Sequence, residues 1–489
     1  MTSGAVDAAA GGGEARGGLE ARLQSGASPR VRRVVGLVDT DSFAKWGAHL
    51  LATAPAHWQL ELLTVATPRS ASRAQLRSAF RGLDPRLGHL AAAPPEPLDV
   101  DTIVERLRED PPDAVLVSLI GPVAELVIDE VHRRVPRRPV LVTGLPGISI
   151  PAKWKGIFFR ARADLFVLHS HREVRAYEEL ATAGGVAPHF ALATLPFARP
   201  DAGRAAAPAA AGRRPPVRDS VVFAAQPSVP ADRADRARIV GWLADTARRH
   251  PEWRVVIKVR AGAGEHQTHR EQDPYPDLVP ADAPPNLVVE SGPMADHLDR
   301  AVALVTVSST AVLEAAARSV PALTLTDFGI GRHLINEVFV DSGLEGDAVD
   351  LVDGRFGTVR PEWMHDNHFH PESENDWATR AEALMALRDD GSLVDRPAAR
   401  RSRGGVLRRA WERKNALGPD DRSALGRVAL VIGEPVRALK RLGRQVRGLV
   451  RPTETPVLLA PTSQRVSGAG LSERLRDREQ ELVPGRDAR

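Results

Sequence analysis

The sequence predicts an α/β protein of two domains, each a parallel sheet wrapped by helices, and three observations carry that expectation. The chain has 489 residues, more than one hydrophobic core usually serves. Short apolar, β-rich runs alternate with longer helical patterns, which is the rhythm of strand–helix–strand units. That rhythm stops and restarts around residues 200–218, PDAGRAAAPAAAGRRPPVR, a stretch with no apolar period that reads as a linker.

The elements follow in chain order. Residues 1–29 begin MTSGAVDAAAGGGEARGG, too rich in Gly and Ala to build a core and without the basic start and apolar centre of a signal peptide, so they read as a disordered leader. In the first domain, 30–199, the runs VRRVVGLVD (31–39), WQLELLTV (58–65), AVLVSL (114–119), PVLVTG (139–144) and ADLFVLHS (163–170) read as strands buried on both faces. Helical patterns such as 99–110 and 123–135 lie between them. In the second, smaller domain, 219–380, strands are expected at 220–225, 254–259, 286–291, 301–307 and 321–327, with helices across 231–250 and 311–318. Residues 381–452 read as a helical, arginine-rich extension and 453–489 as a disordered tail.

Composition excludes several classes. Lys+Arg 66 against Asp+Glu 62 gives a net charge of +4, so the pI of about 9.7 does not describe a strongly cationic body and nucleic acid is not an expected partner. With Cys 0, disulfides and thiolate metal sites are excluded, which fits a cytoplasmic location. The most apolar segment, 114–129, is broken by Gly121, Pro122 and Glu125 and is too short to span a bilayer. In PVRALKRLGRQVRGLVRP (435–452), one apolar helical face and six cations suit the surface of an anionic membrane, or packing on the protein itself or on a partner.

Ligands of open α/β sheets collect at the carboxyl ends of the strands. In the second domain those ends carry Gln226, then Lys258 and Arg260 with the loop GAGEHQTH, then Ser308-Ser309-Thr310 before the helix AVLEAAARS. The free N–H groups and positive dipole end of that helix beside three hydroxyls suit a phosphate, or one hydroxyl simply caps the helix. Lys258 and Arg260, two apart in a strand, face one side and can both reach a diphosphate.

The order His250-Pro251-Glu252-Trp253, the strand with Lys258-x-Arg260, then Ser308-Ser309-Thr310-x-x-x-Glu314-Ala315 and Pro321 resembles the nucleotide-binding half of GT-B glycosyltransferases. It is similar in particular to bacterial capsule and sialic-acid transferases and to actinobacterial glycosyltransferases. The resemblance covers residues 31–380 and implies two Rossmann-like domains facing across a cleft, a nucleotide-sugar donor on the second and a hydroxyl-bearing acceptor, a glycan or lipid-linked, on the first. It implies that Ser308, Ser309 and Thr310 hold donor phosphate, that Lys258 neutralises it, and that Glu314 meets the ribose. Arg260-Ala261 stands where the family's lysine-x-His-Pro motif has His-Pro, so the sugar and the nucleotide base stay open.

An acceptor hydroxyl needs a base. Asp41 is the candidate, with Asp39 second, in the polar loop after the first strand; Asp-x-Asp-Ser before a helix also serves to cap it. The Gly/Pro-rich loop 143–151 is placed to line the acceptor site, and His169 and His171 either line it or cap the following helix. Two histidine clusters suggest metal: His266 and His269 with Glu265 and Glu271, and His365, His368 and His370. Neither has the His-Glu-x-x-His spacing that places two ligands on one helical face, so no metal or cofactor is assigned, and Glu265, His266 and His269 are read as sugar-facing or structural. An epimerase acting on the nucleotide sugar and a binding or scaffold protein without turnover are the two other readings of the same residues.

Overall fold

In the computed structural model, residues 19–20, 23, 30–195, 217–259, 273–399, 405–421 and 423–429 are described. Two compact units divide the chain: the described residues of 1–213 with those of 361–444, and the described residues of 214–360. Both are α/β, and every strand pair in both sheets is parallel.

The first sheet contains β1 (Arg32–Val38), β2 (Trp58–Val65), β3 (Pro97–Leu98), β4 (Ala114–Ser118), β5 (Val140–Gly144), β6 (Leu165–Leu168) and β7 (His189–Leu192), in the order β3-β2-β1-β4-β5-β6-β7. The second contains β8 (Ser220–Ala224), β9 (Arg254–Lys258), β10 (Leu287–Glu290), β11 (Ala301–Thr306), β12 (Ala322–Leu325) and β13 (Glu345–Gly346), in the order β10-β9-β8-β11-β12-β13. Each runs outward from its first strand to one edge and then reverses, the doubly wound order that opens a crevice at the reversal. The reversal lies between β1 and β4 in the first sheet and between β8 and β11 in the second.

The continuous apolar runs make these central strands. Val35, Leu37, Val115, Val117 and Leu141 meet Ile103, Val104, Val127 and Val131 from the helices Val100–Glu109 and Gly121–Arg134, all buried. Phe223, Ile257 and Val305 meet Ile239 and Leu243 of Arg233–Arg249 on one face of the second sheet. Three strands escape the sequence pattern. β3 and β13 are two residues long, too short for a period to register, and the third is β7, four residues that no expected strand covers.

The second unit ends earlier than the expected boundary at residue 380. After Arg360 the chain joins the first unit. There Asp376 Oδ1 accepts from Leu192 N at 2.7 Å, and Asn375 Oδ1 accepts from Thr194 N at 2.7 Å. The Trp377 ring meets Trp58 edge-on at 5.5 Å, and Asp389 pairs with Arg32 at 2.6 Å. Burial of Trp377 and Met385 gives the helix Trp377–Asp389 an apolar reason to pack on this sheet. The basic segment 435–452 lies outside the described residues, and among the described residues no helix is long and apolar enough to cross a membrane.

Candidate functional site

At the reversal of the second sheet, Gln226 follows β8 and Ser308 follows β11. The Gln226 Oε1 accepts from Ser308 N at 3.0 Å and from Ser308 Oγ at 3.1 Å. One turn further, Ser309 N donates to Thr306 Oγ1 at 3.2 Å, and Ala311 N donates to Ser309 Oγ at 3.2 Å. Thr310 is the N-cap of the helix Ala311–Ala317 without a side-chain cap bond. The expectation of free amides at this terminus is therefore corrected. Ser308, Ser309 and Ala311 donate to Gln226, Thr306 and Ser309, because side chains with an oxygen stand within reach of each amide.

Lys258 ends β9 and is buried at 8% exposure. Val255, Ile257 and Val259 belong to the core under Arg233–Arg249, so strand alternation turns Lys258 to the opposite face. Lys258 pairs in register with Ala224, whose carbonyl accepts from Thr306 Oγ1 at 3.0 Å. That row leads across three strands to the Ser308 loop. Its other neighbour in register is Glu290, whose carboxylate is gripped by both terminal nitrogens of Arg254, one at 2.9 Å. The guanidinium holds Glu290 below the usual carboxylate range. Glu314 sits half-buried in the first turn of its helix. Arg260, Glu265, His266 and His269 lie outside the described residues.

The first sheet repeats the arrangement with different chemistry. Asp39, following β1, is fully buried; it accepts from Thr40 N at 2.6 Å and from Ile120 N, after β4, at 3.0 Å. Burial pushes its carboxyl up to about 6, against the pull of those two backbone N–H groups and of the Arg160 cation. Both oxygens are engaged inside the fold, so Asp39 ties the ends of β1 and β4 together. Asp41 opens the helix Asp41–Ala52 and is partly exposed, while the N-cap is Thr40 with no side-chain cap bond.

Arg160, Trp46 and Glu173 complete this edge and carry no signal in the sequence pattern. Arg160 is buried, donates to Leu119 O at 2.7 Å, and is pushed down to about 10 by burial. His169 Nε2 accepts from Trp46 Nε1 at 2.6 Å, so its Nδ1 carries the proton donated to Ala193 O at 2.8 Å. Burial pushes this imidazole down to about 4. Glu173 accepts from His169 N at 2.9 Å and from Ser149 N at 2.7 Å, tying the loop 143–151 to the start of the helix His171–Ala183. Of the two histidines expected at this strand end, His169 is thus a locked neutral support, and His171 is partly exposed.

A family model described as "Putative glycosyltransferase (DUF6716)" matches residues 34–384. No curated protein sequence matches the chain. Among solved structures, the chain is similar to a "putative UDP-N-acetylglucosamine 2-epimerase" from Listeria monocytogenes, at 14% identity and TM-score 0.48, over 76% of this chain and 99% of that one. It is similar to a UDP-glucosyltransferase from Polygonum tinctorium capable of glucosylating indoxyl, at 12% identity and TM-score 0.40, over 76% and 97%. A UDP-GlcNAc 2-epimerase from Methanocaldococcus jannaschii, solved with UDP-GlcNAc and UDP, is similar at 11% identity and TM-score 0.43, over 73% and 99%.

Proposed function

This chain belongs to the DUF6716 family, described as a putative glycosyltransferase, and on that premise we propose that it moves a sugar from a nucleotide-sugar donor to a hydroxyl acceptor. The observation that carries the reading is the Gln226–Ser308 bridge at the point where the second sheet reverses, with buried Lys258 on the row that leads to it. Crevices at such reversals are where open parallel sheets take their ligands.

In this reading the donor's phosphates lie over the second sheet's carboxyl edge. A phosphate oxygen takes the place of Gln226 Oε1 on the Ser308 amide, the hydroxyls of Ser308, Ser309 and Thr310 stand beside it, and Glu314 meets the ribose. Arg260 adds a second cation and Glu265, His266 and His269 face the sugar. The first unit takes the acceptor. Its hydroxyl oxygen forms the new bond to the anomeric carbon, the bond from that carbon to the phosphate oxygen breaks, and the departing nucleotide keeps the electron pair. Lys258 stabilises the charge that develops there, and Asp41 takes the acceptor's proton. The nucleotide sugar is a substrate, and no cofactor enters these steps. The chemistry suits cell-envelope polysaccharide or glycolipid synthesis in the cytoplasm, where the basic segment 435–452 would hold the chain at the inner face of the membrane.

The test is a thermal-shift screen of nucleotides and nucleotide sugars on the wild type and on Lys258→Ala. A stabilising nucleotide sugar whose effect Lys258→Ala abolishes supports the reading; one that it leaves unchanged puts the donor elsewhere. Product formed from donor alone, without acceptor, would replace the transferase by an epimerase.

A further inference from the structure

The first unit brings together three groups from two distant parts of the sequence. His171 is the first residue of the helix His171–Ala183, His365 belongs to the helix Pro361–Asp366, and Glu374 ends the short turn Glu372–Glu374. His171 Nε2 is 2.6 Å from Glu374 Oε2, and His365 Nε2 is 3.5 Å from Glu374 Oε1. One ligand atom from each residue lies within 4.8 Å of the others. The two imidazoles stack at 5.4 Å with 24° between their planes.

Two histidines converge on one carboxylate, and protonating both would set two like charges face to face. A divalent cation satisfies two neutral imidazoles and a carboxylate together, and this is the donor set of zinc sites with three protein ligands and one open position. Contacts besides those among the three ligands hold the frame. Arg175 grips Asp366 through both carboxylate oxygens, at 2.8 and 2.7 Å, fastening the His365 helix to the His171 helix. The His370 ring packs edge-on against His171 at 5.6 Å, and its Nε2 bonds Asn375 Oδ1 at 2.9 Å, adjacent to Glu374. On the outer side, His171 and Glu374 also line a cavity of about 380 Å³ with His189, Asp376 and Arg380. That space admits the water or ligand a fourth position requires.

We propose that His171, His365 and Glu374 bind a divalent transition-metal ion of the zinc type, clipping the returning segment after residue 361 to the first unit. This site belongs to the first unit and is independent of the donor edge on the second. On binding, the His171–Glu374 hydrogen bond breaks: the proton on His171 Nε2 is exchanged through solvent for one on Nδ1, so the ring stays neutral while Nε2 and the carboxylate oxygen turn to the metal. The spacing hid the site because its ligands are drawn from two distant parts of the chain, and His368 of the same cluster turns inward to full burial.

The test uses the full chain after chelator treatment. Zn²⁺ alone is titrated by calorimetry and Co²⁺ by visible absorption, on the wild type, on His365→Ala and on Glu374→Gln. His365 is largely exposed, with 62% of its side chain accessible, so its removal leaves the metal-free fold intact, checked by circular dichroism. One equivalent of Zn²⁺, an intense tetrahedral Co²⁺ band, and affinities at least about tenfold weaker in both variants are expected, since even losing a residue behind a ligand costs that much. No uptake by the wild type, or uptake that both variants retain unchanged, overturns the proposal.

Discussion

Gln226 Oε1 accepts two hydrogen bonds from Ser308, from its backbone N–H at 3.0 Å and its hydroxyl at 3.1 Å, and so closes the reversal point of the second sheet. A ligand oxygen at that amide must displace the glutamine. Gln226→Ala leaves the amide without this acceptor, which costs the ligand-free chain about 1–3 kcal/mol. The expected outcome is a lower Tm without ligand and a larger rise on adding a nucleotide sugar than the wild type shows. A smaller rise would mean that Gln226 itself holds the donor.

Lys258→Ala removes a buried cation from the row that leads to Ser308. Charge-assisted hydrogen bonds contribute about 1.5–3 kcal/mol, so nucleotide-sugar affinity should fall by about 10- to 100-fold in calorimetry. Lys258→Arg should recover part of the loss.

Asp39 makes stability depend on pH in an unusual direction. Its carboxyl is raised from 3.8 to about 6 by burial, so between those values the folded chain binds more protons than the unfolded one. Stability from this group is greatest below about pH 4 and is lost as pH rises through about 6, by about 3 kcal/mol in all. Asp39→Asn does not titrate. Denaturant unfolding at pH 4.5 and 7 should show the variant gaining on the wild type at the higher pH.

His169 has the opposite sign. Its imidazole is lowered from 6.5 to about 4 by burial, so its contribution is whole above pH 6.5 and is lost as pH falls toward 4. Its ring signals in an NMR titration should stay those of the neutral Nδ1–H form at pH 5.5. Protonation with a midpoint near 6.5 would contradict the Trp46–His169–Ala193 chain of hydrogen bonds.

Gly144 lies against the Trp46 ring, where an added Cβ would stand 2.5 Å from Trp46 Cζ2 and 2.6 Å from Val167 O. Neither the indole nor the backbone can give way cheaply, so Gly144→Ala should destabilise by about 1–3 kcal/mol, or more. A thermal melt checks it. The His169 tautomer should be disturbed as well, because Trp46 is its hydrogen-bond donor.

Trp377 decides whether the segment after Arg360 belongs to the first unit in energy as well as in position. It is buried, meets Trp58 edge-on and donates to Thr53 Oγ1 at 3.2 Å. Trp377→Ala should cost about 3–5 kcal/mol, measured by urea unfolding, and a chain ended at residue 360 should lose the fold of its first unit.

The sequence by itself determined the two sheets and the loops that share their carboxyl edges. Strands such as Ala114–Ser118 and Ala301–Thr306 are apolar almost throughout, and that pattern survives without knowledge of any partner. Gln226, Lys258 and Ser308 could be picked out because each closely follows or ends such a run. Only the tertiary structure decided what those groups do. Strand order is a long-range choice, so the reversals that bring Gln226 to Ser308 and Asp39 to Ile120 have no local signature. Burial is likewise collective: it turned Asp39 from a candidate base into a tie between strands, and locked His169 neutral. The same holds for His171, His365 and Glu374, which meet because Trp377 and its neighbours carry the chain back to the first sheet, a contact that no spacing along the chain encodes.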